Sequence, residues 1–332
     1  MNEYDVVIVG GGAAGLSAAL VLTRARRRVA VMDAGVPRNA PAAHMHGFLS
    51  RDGMPPAELL AVGRAEVTGY GGRIIDATVV GIEPGFQVRL ADATTLRARR
   101  VLVTTGLRDE LPDLPGVRQR WGRDLLHCPY CHGHEVRDRP LGVLGGTPDA
   151  VVHALLVRQW SADVVFFAHT HALTGDEREQ LAARGVRVVE GTVARLVHDG
   201  DRLRGVELVG GEAVARDAVF VRPRFVPRDD LLTGLGCAVH DNGWVAVDPT
   251  GRTSVPGVWA AGNAVDPRAQ VVTAAGAGSA AAIALNADLV ADDVRRAVTA
   301  RRDVTDAFSP ELERQVAAVV LGERAHGFPT PR

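Results

Sequence analysis

The residues best equipped for chemistry lie together in His127-Cys128-Pro129-Tyr130-Cys131-His132-Gly133-His134. Two thiols at this spacing can close a disulfide and trade it with another dithiol, because a thiolate attacks a disulfide sulfur through a mixed disulfide. The imidazole of His132, directly after the second cysteine, has an ordinary pKa of about 6.5 and suits taking a proton from an incoming thiol near neutral pH. His134 is a second candidate for that base, and His127 precedes the pair; either can equally be an exposed or capping residue. Zinc is the competing use of Cys and His together. Short zinc knuckles recur as two separated pairs, for which Cys237 and His240 would be the distant partners; the expectation is a redox pair and no metal site.

A second constellation opens the chain. Asp5-Val-Val-Ile-Val9 has the β-branched run of a buried parallel strand. It meets Gly10-Gly11-Gly12-Ala13-Ala14-Gly15, then a helix-forming stretch, then strand Val29-Ala-Val-Met32 ending at Asp33. In this G-x-G-x-x-G, Gly10 serves the tight turn, Gly12 lets backbone approach a pyrophosphate, and Gly15 lets the helix pack closely. The helix N-terminus presents N–H donors to phosphate, and Asp33 is placed to bind ribose hydroxyls. A dinucleotide site follows.

The elements that must position these groups alternate strand and helix over 332 residues, a length suited to about two domains. Helix is expected over 58–70, a strand pair over 79–90, and a strand over 100–105. A second β-α-β unit starts at Leu141, with a helix over 149–160 and strands over 163–168, 186–190, 206–209 and 218–221. A strand at 244–248, an Ala-rich helix over 271–297 and an amphipathic stretch over 311–322 complete the pattern. The fold class is α/β. Charge is nearly balanced, 38 basic against 39 acidic residues for a net −1, which disfavours nucleic-acid binding by phosphate neutralisation. Every basic residue is Arg, so lysine Schiff-base chemistry and a P-loop are excluded. No unbroken run of 18 apolar residues appears, so no membrane span is expected. The first residues carry Glu3 and Asp5 in place of a positive leader, and three cysteines are too few for a disulfide framework, so a cytoplasmic location is expected.

Val255-Pro-Gly-Val-Trp-Ala-Ala-Gly262-Asn263 resembles the second FAD motif of two-dinucleotide flavoproteins, and Thr105-Gly106 their linking turn. With the first glycine loop, Leu114-Pro-Gly116, the Cys128–Cys131 motif and Gln270-Val-Val-Thr-Ala-Ala-Gly276, the chain resembles low-molecular-weight thioredoxin reductases to about residue 297. The resemblance implies FAD, a homodimer, and a discontinuous Rossmann-like FAD domain. Its halves would be residues 1–113 and 241–300, around an NAD(P)H-like domain at 114–240 that carries the cysteines, with a helical tail at 301–332. It places FAD against Gly10, Gly12, Ala13, Ala14, Gly15, Asp33, Asn39, His46, Thr105, Gly106, Gly262, Asn263, Gln270, Val271 and Val272. It also makes Cys128 the interchange cysteine and Cys131 the one nearest the flavin.

Within that family the chain is more similar to the dithiol oxidases of sulfur-containing natural-product pathways, such as those for gliotoxin and holomycin. Reductases carry Asp after the second cysteine, where this chain has His132. The second glycine loop is degenerate: in Gly145-Gly146-Thr147-Pro148-Asp149-Ala150, Thr147 stands at the close approach, Pro148 lacks an N–H and Asp149 adds negative charge. Where reductases have a His-Arg-Arg cluster for a 2′-phosphate, this chain has His169-Thr170-His171 and no arginine before Arg178. Asn263 replaces the family Asp, and Ala269 a frequent Arg. The expectation is an FAD-dependent oxidase that forms a disulfide in a small dithiol and passes the electrons to O2, with NAD(P)H not bound tightly. The alternative is a disulfide reductase driven by NADPH or another donor such as ferredoxin. His326 in the tail could also reach a site.

Overall fold

The computed structural model describes residues 3–307 and 310–321; His326 lies outside them. Two compact units result, one ending at Ile283 and the other beginning at Ala284. In chain order come β1 (Glu3–Val9), α1 (Ala13–Arg24), β2 (Val29–Asp33), α2 (Pro56–Gly69), β3 (Arg73–Asp76), β4 (Val79–Glu83), β5 (Gln87–Leu90), β6 (Thr95–Val103) and β7 (Leu107–Glu110). Next are α3 (Val117–Arg120), β8 (Leu125–Leu126), α4 (Pro129–His132), β9 (Leu141–Leu144), α5 (Ala150–Val157), β10 (Val164–Phe167), α6 (Gly175–Ala183) and β11 (Arg187–Val189). The chain continues through β12 (Val193–Asp199), β13 (Arg202–Leu208), β14 (Ala213–Ala215), β15 (Ala218–Phe220), β16 (Arg224–Pro227) and α7 (Asp230–Gly234). It ends with β17 (Val258–Ala260), α8 (Val271–Ala307) and α9 (Pro310–Leu321).

The first sheet runs β3-β2-β1-β6-β5-β4, with β17 also on β6. Its β3-β2-β1-β6-β17 part is parallel, with Val6 opposite Val29, Val7 opposite Val101 and Leu102 opposite Trp259. Strands from both ends of the unit therefore share one sheet. Val6, Val7 and Ile8 are wholly buried, as a parallel strand covered on both faces requires. Each such side chain contributes about 1.5–3 kcal/mol of burial. The order reverses direction between β1 and β6, where open α/β sheets bind ligands at the carboxyl ends of strands. Gly10, Thr104 and Gly262 all lie beyond such ends.

The second parallel sheet is β11-β10-β9-β15-β8, flanked by the antiparallel β12-β13-β14. β7 and β16 pair antiparallel as a two-stranded ribbon, Asp109 opposite Phe225. Leu232 and Cys237, beyond this ribbon, pack in the same core as Val7, Val101 and Val258. The chain thus rejoins the first core before residue 241, the expected start of the second half.

Two further expectations change. Residues 244–248 form no strand: isolated bridges join Val239 to Val245 and Val247 to Thr253, because Asn242-Gly243 and Asp248-Pro-Thr-Gly251 turn the chain too often. α8 runs ten residues past Ala297, through the expected tail boundary at 300. By length and composition alone, an 18-residue stretch inside Val271–Asp303 is apolar enough to cross a membrane, a test that core helices of soluble proteins also pass. A search for an unbroken apolar run misses it because Thr273, Ser279 and Asn286 interrupt the alanines. In the second unit, Asp292 accepts from Arg295 and pairs with Arg296 at 3.1 Å.

Candidate active site

A cavity of about 1300 Å³ opens at the ends of β1, β6 and β17 and reaches the Cys128–Cys131 disulfide. That exceeds the roughly 300–1,000 Å³ of an ordinary small-molecule pocket, leaving room for an extended cofactor and a substrate. Gly10, Gly12, Ala13, Ala14, Asp33, Asn39, His46, Thr105, Gly106, Gly262, Asn263, Gln270 and Val271 all line it.

The glycine loop is shaped by sterics. Gly10 has φ +111°, and a Cβ there would stand 2.4 Å from the Thr104 carbonyl oxygen. Gly15 is not in the lining; a Cβ on it would sit 1.9 Å from the Gly10 oxygen, so it serves helix–strand approach. A Cβ on Gly12 would meet nothing within 4 Å, and Gly12 caps α1 with no side chain over the first N–H groups. Open space before an uncapped helix N-terminus fits a pyrophosphate. Asp33 ends β2; its carboxylate binds Arg64 and accepts the Gly35 N–H at 3.2 Å.

On the far side, Asn263 sits in a short 3-10 turn after β17. Its amide donates to the Asp266 and Ala269 carbonyls at 2.8 and 3.0 Å, while its Oδ1 accepts from Arg38 at 3.3 Å. Gln270 and Val271 bring the N-terminus of α8 to the cavity, where the helix dipole favours negative charge. Val272, by contrast, is exposed and outside the lining, one residue further round the helix. The donor set and the space fit FAD.

Cys128 and Cys131 form a disulfide with Cα atoms 5.2 Å apart. Pro129 starts α4, and the Cys131 and His132 N–H groups both donate to the Cys128 carbonyl at 3.1 Å. Gly133 lets this turn press on Trp160, against which Tyr130 packs edge-on. His132 lines the cavity beside both cysteines. Burial lowers its pKa, Glu135 opposes that, and His46 adds to it. His134 is not brought to the site: it is exposed, outside the lining, and its Nδ1 lies 3.6 Å from Glu135. His46 spans Asp52 at 3.4 Å and Glu135 at 3.5 Å.

Sequence reasoning missed several residues here. Arg38 grips Asp109 through two hydrogen bonds of 2.7 and 2.8 Å and lies over the Phe225 ring at 5.1 Å. It thereby ties the loop after β2 to the β7–β16 ribbon. Arg38 is the lone arginine between Gly35 and Gly47, which was the available signal. His153, Arg222 and Phe225 also line the cavity, beside His127, which the sequence did single out.

The second glycine loop, between β9 and α5, is occupied by its own side chains. The Thr147 hydroxyl donates to Asp149 at 2.9 Å, and Asp149 pairs with Arg222 at 2.6 Å. Nearby, His169 Nδ1 accepts the Val193 N–H at 3.0 Å, His171 lies 3.1 Å from Glu177, and Arg178 pairs with Glu190.

A Rossmann-type sheet ending on a dinucleotide cradle, with a cysteine pair across the same cavity, defines a flavin-dependent thiol–disulfide oxidoreductase. The chain belongs to the pyridine nucleotide-disulphide oxidoreductase family, matched over residues 4–279. It is similar to HlmI, whose crystal structure superposes with a TM-score of 0.89 at 63% identity, covering 91% of this chain and 97% of that one. A putative thioredoxin reductase TrxB from Bacillus anthracis gives a TM-score of 0.84 at 33% identity, covering 87% and 99%. The thioredoxin reductase sirT of Leptosphaeria maculans is 30% identical over 88% of this chain and 96% of its own length.

Proposed function

We propose that this protein is a dithiol oxidase: it closes a disulfide in a small dithiol through Cys128–Cys131, with O2 as electron acceptor and H2O2 as second product. The β9–α5 loop carries the proposal. Pro148 offers no N–H, Thr147 and Asp149 bind one another, and a carboxylate stands where phosphate would lie. The neighbouring cations have carboxylate or backbone partners of their own. NAD(P)H then has no tight site, and the substrate dithiol is the electron source. A homodimer in the cytoplasm, without nucleic-acid or membrane partners, belongs to the same proposal.

His132 takes the proton of one substrate thiol, and the thiolate attacks Cys128 Sγ. The Cys128–Cys131 bond breaks, and its electron pair leaves on Cys131 Sγ. The second substrate thiol, on losing its proton, attacks the sulfur bound to Cys128, so the product departs with its own S–S bond and both cysteines are reduced. FAD, when bound, supplies two-electron transfer from the reduced cysteines to O2. The substrate loses two electrons and two protons, and O2 gains them as H2O2.

The thioredoxin reductase names of sirT and TrxB favour a second reading, a disulfide reductase fed by NADPH or another donor such as ferredoxin. Anaerobic mixing separates the two. We expect dithiothreitol to bleach the oxidised flavin and NADPH to leave it coloured; bleaching by NADPH at a catalytic rate contradicts the proposal.

A further inference from the structure

Directly before Cys128, His127 faces a second imidazole. His153, on the inner side of α5, is only 2% exposed, and its ring centroid lies 6.2 Å from that of His127. Aromatic edges enclose both: Phe225 stands 5.0 Å from His127 and Phe220 5.9 Å from His153. His127, His153, Leu156, Arg222 and Phe225 line the same cavity as the disulfide. They form a chamber in that cavity, joined to the disulfide through His127, the residue directly before Cys128.

This chamber carries polar atoms without partners. Both ring nitrogens of His153, Nδ1 of His127 and Nε of Arg222 are buried and accept or donate no hydrogen bond. The His127 backbone comes near enough to His153 to favour its protonation, yet outside hydrogen-bond geometry. Buried polar atoms are rarely left unpaired, and a cluster of them at a cavity wall marks a place where a ligand supplies the partner.

The chamber carries no uncompensated charge. Arg38 is held by Asp109 and Arg222 by Asp149. Burial, aided by the Arg38 charge, pushes His127 down to about 4; burial, aided by the Arg222 charge, pushes His153 down to about 3. Both rings are thus neutral near pH 7, and a neutral imidazole offers one donor and one acceptor. An anionic ligand would meet no unpaired cation here, and burying its charge is costly.

We propose that this chamber is the specificity subsite for the dithiol, holding the body of an uncharged molecule whose hydroxyl or carbonyl groups bond His153 and His127 while a thiol meets Cys128. The inference rests on the oxidase reading above and deepens it.

Two matched pairs test it by the second-order rate of anaerobic flavin reduction. Dithiothreitol and 1,4-butanedithiol share a skeleton and differ in hydroxyls. Dihydrolipoamide and dihydrolipoate share their thiols and differ in charge. We expect the wild type to prefer dihydrolipoamide. We expect His153→Phe to lower the dithiothreitol-to-butanedithiol ratio about fivefold, the worth of one net hydrogen bond. His153→Gln, which keeps a donor and an acceptor, should retain the ratio. His127→Phe makes the same comparison if His153→Phe does not hold flavin. An unchanged ratio in the Phe variant, a ratio lost equally in Gln and Phe, or equal rates for the lipoyl pair overturns the subsite while leaving the oxidase reading in place. If no dithiol reduces the wild-type flavin, the oxidase reading itself falls and takes this inference with it.

Discussion

Replacing His132 by Gln should slow the thiol step in a way that depends on pH. His132 lies beside the disulfide, and burial holds its pKa below the ordinary 6.5 despite the opposing charge of Glu135. Its basic form is therefore populated at pH 6.5 and above, and the wild-type rate should be nearly level from there upward. In His132→Gln only a thiol that ionises unaided can attack. A thiol of pKa about 8.5 is roughly 3% thiolate at pH 7 and about a quarter at pH 8. The variant should then be about thirtyfold slower at pH 7, about fourfold slower at pH 8, and near wild type by about pH 9.5. Anaerobic stopped-flow bleaching of the flavin by a dithiol, followed across that range, measures it directly. Slowing by one constant factor at every pH, or none at pH 7, refutes the base role.

Cys131→Ser should abolish turnover while the protein stays yellow; residual dithiol oxidation at the wild-type rate contradicts the disulfide route. Arg38→Ala leaves the Asp109 carboxylate, 9% exposed, without its two-pronged partner and frees Asn263 Oδ1. We expect a loss of about 3 kcal/mol, or a melting temperature lower by roughly 4 °C, largely recovered in Arg38→Met/Asp109→Leu; calorimetry on the three proteins decides. Stability should also fall with pH below about 6.5. The unfolded chain then protonates His127 and His153, whereas the folded rings resist until about 4 and 3. At pH 5.5 each ring costs about 1.4 kcal/mol, so the urea midpoint should drop from pH 7 to 5.5, with a smaller drop in His153→Phe. A midpoint independent of pH over that range contradicts neutral burial.

Local signals in the sequence carried the parallel sheets. Val6 to Val9 and Val101 to Val103 read as buried strands because both faces of a parallel sheet are covered. The Gly10–Gly15 loop and the Cys128–His132 motif were legible because each depends on spacing alone. The Arg38–Asp109 grip was not, since it joins residues 71 apart that only the fold brings together. His153 sits in an apolar helix, where its type suggests core and nothing in the sequence says that a cavity wall lies behind it. Val272 and His134 show the limit of motif reading: one step round a helix, or one turn past α4, decides whether a side chain meets the cavity. The return to the first core before residue 241 was marked only by Pro223 before β16 and Pro227 at its end, a weaker cue than the family resemblance that put the boundary at 241.

The central claim, that a dithiol is the electron source and O2 the acceptor, meets its most direct test in a closed cell with purified protein, a dithiol and a known amount of dissolved oxygen. Oxygen uptake, peroxide and product disulfide are counted together. The account predicts one H2O2 and one disulfide per O2 consumed, at a rate well above that of free FAD and with no added NADPH. Oxygen uptake no faster than with free FAD, or turnover only when NADPH is supplied, contradicts it.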